Sequence, residues 1–181
     1  LHHRKIDPGS IYSDGEGYGL TELGSVTGAV LNVALPTPQP YFGAAFNPSI
    51  QIRSSANSNA SSTGNFNHHL KVGIGTNNTI IVDTAFNNYR QIIANKILSI
   101  NDITANNTNL KYEIVGDVGA TVDRQVLTYY ELTYPRLTNA NGANKDEFQV
   151  VNHPTASKSR VDLQNLSVGS PIAFSFCLLY T

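Results

Sequence analysis

Several residue types that would suggest particular functions are rare or missing in this sequence. Among its 181 residues there is no tryptophan and no methionine, and the single cysteine is Cys177. One cysteine excludes an internal disulfide framework and a zinc site built from several cysteines. Because even an initiator methionine is missing, we expect the chain to be a piece of a longer protein whose chemistry lies outside it.

Charge is scarce as well. Charged residues make up 14% of the chain and the formal net charge is -1, whereas about 25% charged residues is typical of soluble domains. A balanced charge without a Lys/Arg cluster lacks the electrostatic footprint of phosphate-backbone binding, so we predict no nucleic-acid partner. No apolar run reaches the roughly 18 residues of a membrane span. The longest run, 172–180, is interrupted by Ser175, and we predict no span.

Uncharged polarity is what the sequence has in abundance. It contains 20 Asn, 15 Ser and 15 Thr, residues that favour turns and β-structure over helix interiors. A composition that is rich in these residues and poor in lysine is typical of secreted bacterial proteins. We therefore predict a secreted or outer-surface location.

Short alternating runs separated by turn residues indicate strands and almost no helix. The longest run, 126–134, ends at Pro135, and its even-numbered residues share one face. We predict an all-β fold, an antiparallel two-sheet β-sandwich that is jelly-roll-like, in which 1–25 is an irregular lead-in and 26–181 a single domain. The predicted strands are 29–35 (ending at Pro36), 50–53, 70–75, 80–83, 110–115, 126–134, 148–151, 161–166 and 172–179. A further strand lies between 89 and 100 and leads into a helical turn near 100–103, and the loop 54–67 is predicted to be a flexible surface insertion.

Several segments together resemble a known family. They are His68–Val72, Val82–Phe86, Asn109–Asp117, Asp123 and, above all, Tyr129–Arg136 with its ending Tyr-Pro-Arg. These segments resemble the β-sandwich region that precedes the peptidase domain in gingipain-like cysteine peptidases of Bacteroidota, including the type IX secretion sortase group. The resemblance extends over roughly the whole chain.

The resemblance implies an accessory module that is not itself an enzyme, since the family's catalytic Cys and His lie in the downstream peptidase domain. Its partners would be that peptidase domain of the same chain and the peptidase's protein substrates. Tyr134, Pro135 and Arg136 would form a structural or partner-binding motif. The tripeptide at Thr84, Asp-Thr-Ala, resembles the O-glycosylation site of exported Bacteroidota proteins.

The thiol and the histidines do not suggest a catalytic centre. Cys177 lies in the apolar run 174–179, where a buried thiol is a poor nucleophile, so we predict a small core residue. His68 and His69 are adjacent on a predicted strand and point to opposite faces, so they do not chelate one ion together. Alternation from Leu70 places His68 at the edge of the core.

Carboxylates in predicted loops are candidate ligands for a calcium ion. Ca²⁺ binds six to eight oxygen ligands, and loop Asp, Asn and carbonyl groups supply them. Asp117 and Asp123, both predicted to lie in loops, are the first candidates, and hydrogen bonding to turn amides is the alternative. No other cofactor is predicted.

A carbohydrate-binding sandwich module, possibly stabilised by calcium, is the alternative function. Sugar CH faces stack on aromatic rings while the hydroxyl groups form hydrogen bonds. Tyr41, Phe42 and Tyr89 are the aromatic residues predicted to be exposed for stacking. The missing tryptophan speaks against this function.

Overall fold

Strands form where β-branched and aromatic residues alternate with polar ones between Gly, Asn and Pro turns. The computed structural model describes residues 4–5, 18–43, 46–139, 164–165 and 167. Its backbone divides into two compact units, 1–135 and 136–181. In the second unit, Asn139 and Gln164 form an isolated parallel bridge. The strands of the first unit are β1 (Arg4–Lys5), β2 (Tyr18–Gly19), β3 (Leu23–Ser25), β4 (Ala29–Thr37), β5 (Ser49–Ala56), β6 (His68–Ile74), β7 (Thr79–Phe86), β8 (Gln91–Ile97), β9 (Asn106–Ile114) and β10 (Asp123–Thr133).

Eight of these strands build two four-stranded antiparallel sheets. The first sheet has the order β3-β10-β5-β8 and the second sheet the order β4-β9-β6-β7. Along the chain the strands therefore alternate between the sheets, except at the β6–β7 hairpin. This is the connectivity of a jelly roll, in which two Greek keys form a double-sheet sandwich. The predicted all-β, jelly-roll-like sandwich is confirmed.

The core lies between the inner faces of the two sheets. Tyr112 is fully buried there, and its hydroxyl shares a 2.7 Å hydrogen bond with Ser54 Oγ of the opposite sheet. Burial raises the pKa of Tyr112, against the opposing effect of the Ser54 hydrogen bond, so this phenol stays protonated at physiological pH. The other fully buried side chains of the sandwich core include Ile50, Ile52, Leu70, Val72, Ile74, Leu110 and Ile114.

The predicted short elements around the β6–β7 hairpin are confirmed. The turn 75–78 joins the two strands, and Gly75 adopts a φ of 74° that favours glycine. The segment between 89 and 100 forms β8, followed by a 3₁₀ turn at Ile100–Asp102. Ser99 caps this turn, and its backbone N–H donates to Asp102 Oδ2 at 2.9 Å.

Strand β4 is longer than predicted. It continues through Pro36, which lies opposite Asn107 in the register, to Thr37. A proline is tolerated here because β4 is the edge strand of the second sheet, so the missing N–H need not point to a neighbour.

Two predicted irregular segments contain regular structure. The lead-in 1–25 contributes β1, β2 and β3, and β3 joins the first sheet. The predicted surface loop 54–67 begins inside β5, with Ser54 and Ser55 buried. Further along this loop, Asn67 Nδ2 donates to Asn59 Oδ1 at 3.0 Å. The loop is tied to the sandwich at two other points, where the backbone N–H of Asn57 donates to Arg124 O at 2.8 Å and Ser58 O lies 2.9 Å from His68 Nε2.

A bulge in β10 changes which side chains face the core. The register with β5 shifts between Leu127 and Tyr129, and the Thr128 hydroxyl donates to Arg53 O at 3.1 Å. Val126 and Leu127 are consequently both buried, although strict alternation predicts opposite faces for them. From Thr128 onward the predicted alternation is confirmed.

The last three predicted strands, 148–151, 161–166 and 172–179, and Cys177 lie outside the described residues, apart from 164 and 165. Within the described part of the chain, we find no helix whose length and apolarity would let it span a membrane.

Candidate functional site

A buried histidine–aspartate pair links the two sheets. His68 starts β6 in the second sheet, and Asp123 starts β10 in the first. Their side chains are 0% and 4% exposed, and Nδ1 of His68 lies 2.7 Å from Asp123 Oδ1. The imidazole also stacks on Phe86, with 4.9 Å between ring centroids. Asp123 was predicted to lie in a loop, and its place as the first residue of a core strand corrects that prediction.

Every polar atom of the His68 ring is engaged by the protein. Its Nε2 lies 2.9 Å from Ser58 O, so both ring nitrogens face acceptor oxygens. The imidazole is therefore held at both nitrogens, between Asp123 of β10 and Ser58 of the loop that follows β5.

Asp123 accepts further hydrogen bonds in the same cluster. The backbone N–H of His69 donates to Oδ2 at 3.2 Å, and Gln125 Nε2 lies 3.1 Å from both carboxylate oxygens. Nearby, Ser58 Oγ accepts from the backbone N–H of Arg124 at 3.0 Å. The Asp123 carboxylate therefore organises the start of β10 against β6.

His69 forms a second cluster on the outer side of the second sheet. Its Nδ1 lies 2.7 Å from Asp117 Oδ1 and its Nε2 lies 2.8 Å from Asp83 Oδ1. Lys71 Nζ approaches the other oxygen of Asp83 at 3.2 Å. The imidazole thus bridges β7 and the turn that follows β9. As predicted, His68 and His69 point to opposite faces of the strand.

The protonation of His69 follows from these contacts. Partial burial lowers its pKa, but the hydrogen bonds to Asp83 and Asp117 and their charges outweigh this effect, so the pKa of His69 is raised. The pKa of Asp83 is lowered, first by its hydrogen bond from His69 and then by that from Lys71. The bridge is therefore strongest where His69 is protonated and Asp83 is ionised.

The outer face of the first sheet presents a third group of side chains, which we call the Tyr129 face. Cross-strand register aligns it in three rows: Ile93, Arg53 and Tyr129; Asn95, Gln51 and Glu131; Ile97, Ser49 and Thr133. Sequence reasoning placed Tyr129 among the sheet and core residues and did not assign it to a site. The missing information was the pairing of β10 with β5 and of β5 with β8, which brings Arg53, Gln51 and Asn95 beside the outward-facing residues of β10.

Aromatic, charged and amide groups meet on the Tyr129 face. The Arg53 guanidinium lies over the Tyr129 ring, 5.2 Å from its centroid. The Tyr129 hydroxyl donates to Glu131, and Gln51 Nε2 donates to Asn95 Oδ1 at 2.8 Å. Arg53 Nε is buried, and among the described residues it has no hydrogen-bond partner.

The residues predicted as calcium ligands lie in two different networks. Asp123 accepts from His68, and Asp117 accepts from His69. Among the residues that the structure describes, no group of three or more His, Cys, Asp and Glu side chains is arranged to hold a metal ion.

The aromatic residues predicted to be exposed are exposed. Tyr41, Phe42 and Tyr89 have 47%, 54% and 60% of their surface accessible. None of the three belongs to the Tyr129 face. Thr84 is a partly exposed residue of β7, which is an edge strand.

The predicted Tyr-Pro-Arg motif follows β10 directly. The Tyr134 hydroxyl donates to Pro38 O at 3.2 Å, and Pro135 O accepts from the backbone N–H of Tyr41 at 2.9 Å. These two residues close the first compact unit, and Arg136 begins the second. Tyr134 and Pro135 thus hold the loop after β4 against the end of β10.

Comparison with known proteins gives weak structural matches only. No family model and no curated protein matches the chain. Among solved structures, infectious bursal disease virus Gt strain matches with a TM-score of 0.34 and 16% identity, over 61% of this chain and 28% of the viral chain. The Gx strain matches with 0.30 and 14%, over the same shares. A CBM4 structure matches with 0.31 and 16%, over 59% of this chain and 72% of that chain.

Similarities at this level do not assign a function. The chain spans less than a third of the length of the viral chains it matches. The functional argument therefore depends on the chain's own residues.

Proposed function

We propose that this chain is a non-catalytic β-sandwich module that precedes a gingipain-like cysteine peptidase domain in a secreted or cell-surface bacterial protein. The module packs against that domain, orients it or assists its folding, and it helps the domain meet protein substrates. It acts through its surface and not through chemistry of its own.

The observation that carries the proposal is the convergence of the family-like residues. His68, His69, Asp83, Asp117 and Asp123 are distant in sequence and were singled out by the resemblance. In the fold they meet in two neighbouring hydrogen-bond clusters. A residue set with this arrangement serves to align strands β6, β7, β9 and β10.

The state of the histidines supports a non-catalytic role. A general base needs a ring nitrogen free to take a proton from a substrate. Both ring nitrogens of His68 and of His69 lie against protein oxygens. In the proposed module, these two histidines serve to hold strands together.

The reading frame that follows Thr181 provides the first test. We expect it to encode a peptidase domain with a Cys/His pair, and an unrelated continuation would remove the family assignment. The second test uses casein hydrolysis. The 181-residue chain should not cleave casein, whereas the protein that includes the downstream domain should, and cleavage by the 181-residue chain itself would refute the proposal.

The role of the module is tested by variants of the longer protein. Asp123→Asn, which disturbs the buried pair, should lower the yield of active peptidase and the temperature at which it inactivates. Lys111→Ala, which removes a partly exposed ion pair with Glu113, is the matched control and should leave both unchanged. Equal yields from the two variants would show that the downstream domain folds independently of the module.

Carbohydrate binding is a second candidate function, favoured by the Tyr129 face. An aromatic ring, a guanidinium and two side-chain amides are combined there on the outer face of the first sheet. Retention of the 181-residue chain by immobilised polysaccharides tests this function.

A further inference from the structure

We propose that the Tyr129 face is a binding site for a neutral oligosaccharide, with Tyr129 as the stacking ring and Arg53, Gln51, Asn95 and Glu131 as hydrogen-bonding groups. This proposal rests on the second candidate function. It also moves the sugar site away from the aromatic residues that the sequence indicates, Tyr41, Phe42 and Tyr89.

Geometry gives the face a size suited to a small ligand. Neighbouring strands are about 4.8 Å apart and alternate residues about 6.8 Å apart, so three rows on three strands cover about 10 × 14 Å. The Tyr129 face, at roughly 140 Å² by the same spacings, matches a short oligosaccharide.

The balanced charge of the Tyr129 face favours a neutral ligand. Arg53 and Glu131 carry opposite charges, and the other seven residues of the face are uncharged. An anionic ligand such as a phosphorylated group would meet the Glu131 carboxylate beside the guanidinium. A sugar hydroxyl both donates and accepts hydrogen bonds, so it pairs with carboxylate, guanidinium and amide groups alike.

The polar groups of the face are held in place before any ligand arrives. The Tyr129 hydroxyl is bound to Glu131, which raises the pKa of Tyr129 and keeps the phenol protonated. The Gln51–Asn95 bond at 2.8 Å orients both amides. Groups fixed in this way lose little conformational entropy on binding, which favours affinity.

Arg53 supplies the hydrogen-bond donors of the first row. Arg53 lies between Tyr129 and Ile93 in its row. A ligand that binds over this row would lie beside the Arg53 guanidinium, whose terminal amino groups can donate to an acceptor oxygen of the ligand.

Affinity electrophoresis of the 181-residue chain tests the proposal. The probes are gels that contain β-glucan, xylan, mannan or α-glucan, each compared with a gel without polysaccharide. We expect retardation by at least one polysaccharide, and titration calorimetry with oligosaccharides of that backbone then gives the affinity. Retardation in none of the gels would overturn both the site and the second candidate function.

Variants locate the site. Tyr129→Ala and Asn95→Ala should each weaken binding about tenfold or more, equivalent to about 1.4 kcal/mol, whereas Tyr129→Phe keeps the ring and should lose less than Tyr129→Ala. Tyr89→Ala, a matched loss of an exposed ring elsewhere, should bind as the parent does. Unfolding midpoints within a degree or so of the parent would establish that the variants fold.

The variants distinguish a failure of the Tyr129 face as the binding site from a failure of carbohydrate binding itself. Binding that survives Tyr129→Ala but is lost in Tyr89→Ala or Tyr41→Ala would overturn the Tyr129 face and retain carbohydrate binding. Loss of a downstream domain's association on Tyr129→Ala, without any polysaccharide binding, would assign the face to protein contact and overturn the proposal.

Discussion

The substitution His68→Phe removes the imidazole but keeps a ring of similar volume. It therefore measures how much the buried His68–Asp123 contact, which links the two sheets, contributes to the free energy of unfolding. In His68→Phe, a ring remains to stack on Phe86, but the hydrogen bonds to Asp123 Oδ1 and Ser58 O are lost. The Asp123 carboxylate, 4% exposed, then loses its contact with the imidazole. Breaking a buried pair from one side costs about 3–5 kcal/mol. We expect that loss in the free energy of unfolding and a drop of about 6–20 °C in melting temperature.

Urea unfolding followed by far-ultraviolet circular dichroism measures this loss, since the chain has no tryptophan for fluorescence. The midpoint should fall while the slope with urea stays the same. The double variant His68→Phe/Asp123→Leu should lose less than the sum of the two single variants, because no unpaired charge remains. Lys111→Ala, at the surface, is the control and should cost about 0–1 kcal/mol. A loss below about 1 kcal/mol for His68→Phe, or strict additivity in the double variant, would refute the buried link.

Three further predictions concern the same fold. The folded-state pKa of His69 is raised above its ordinary value of about 6.5, so the protonated imidazole stabilises the fold fully below pH 6.5 and this stabilisation is lost as the pH rises through the folded-state pKa. His69→Gln should flatten this part of the plot of unfolding free energy against pH, and an unchanged plot would contradict the prediction. Gly75→Ala should lower the free energy of unfolding, measured with urea, by more than about 1 kcal/mol, since φ is 74° and a Cβ would lie 2.4 Å from Asp102 O. Gly24→Ala is the control and should not cause such a loss, because a Cβ there would make only ordinary contacts. Tyr112→Phe should cost about 1–3 kcal/mol because it leaves the buried Ser54 hydroxyl unpaired, and a neutral effect in the same assay would show that this hydroxyl finds another partner.

The sequence predicts much of this fold because alternation is a local signal. The opposite orientations of His68 and His69 follow from the two-residue period of a strand, and the β6–β7 hairpin follows from two alternating runs around an Asn-containing turn. The single-residue shift at Thr128 has no comparable signature, and it moves Leu127 into the core. Pro36 was misread because a proline's effect on a strand depends on whether that strand lies at an edge, which is a property of the assembled sheet.

The candidate sites were less predictable than the strands. Asp123 is separated from His68 by more than fifty residues, and only the pairing of both sheets reveals that they meet in the core. The Tyr129 face combines side chains from β5, β8 and β10, so its rows depend on two registers and one bulge. Exposure of Tyr89 was predictable from its loop, but exposure alone did not indicate where polar groups converge.

The order of strands in the first sheet has a consequence for how the chain folds. Leu23 of β3 pairs with Gln125 of β10, and β5 is paired on one side by β10 as well. During synthesis, the first sheet therefore cannot be completed until Thr133 has left the ribosome, while the β6–β7 hairpin can form much earlier. Such long-range pairing makes folding slow and leaves open strand edges in the meantime. Truncation before Asp123, the first residue of β10, would leave β3 and β5 without their shared partner and yield an aggregation-prone chain, not a smaller module.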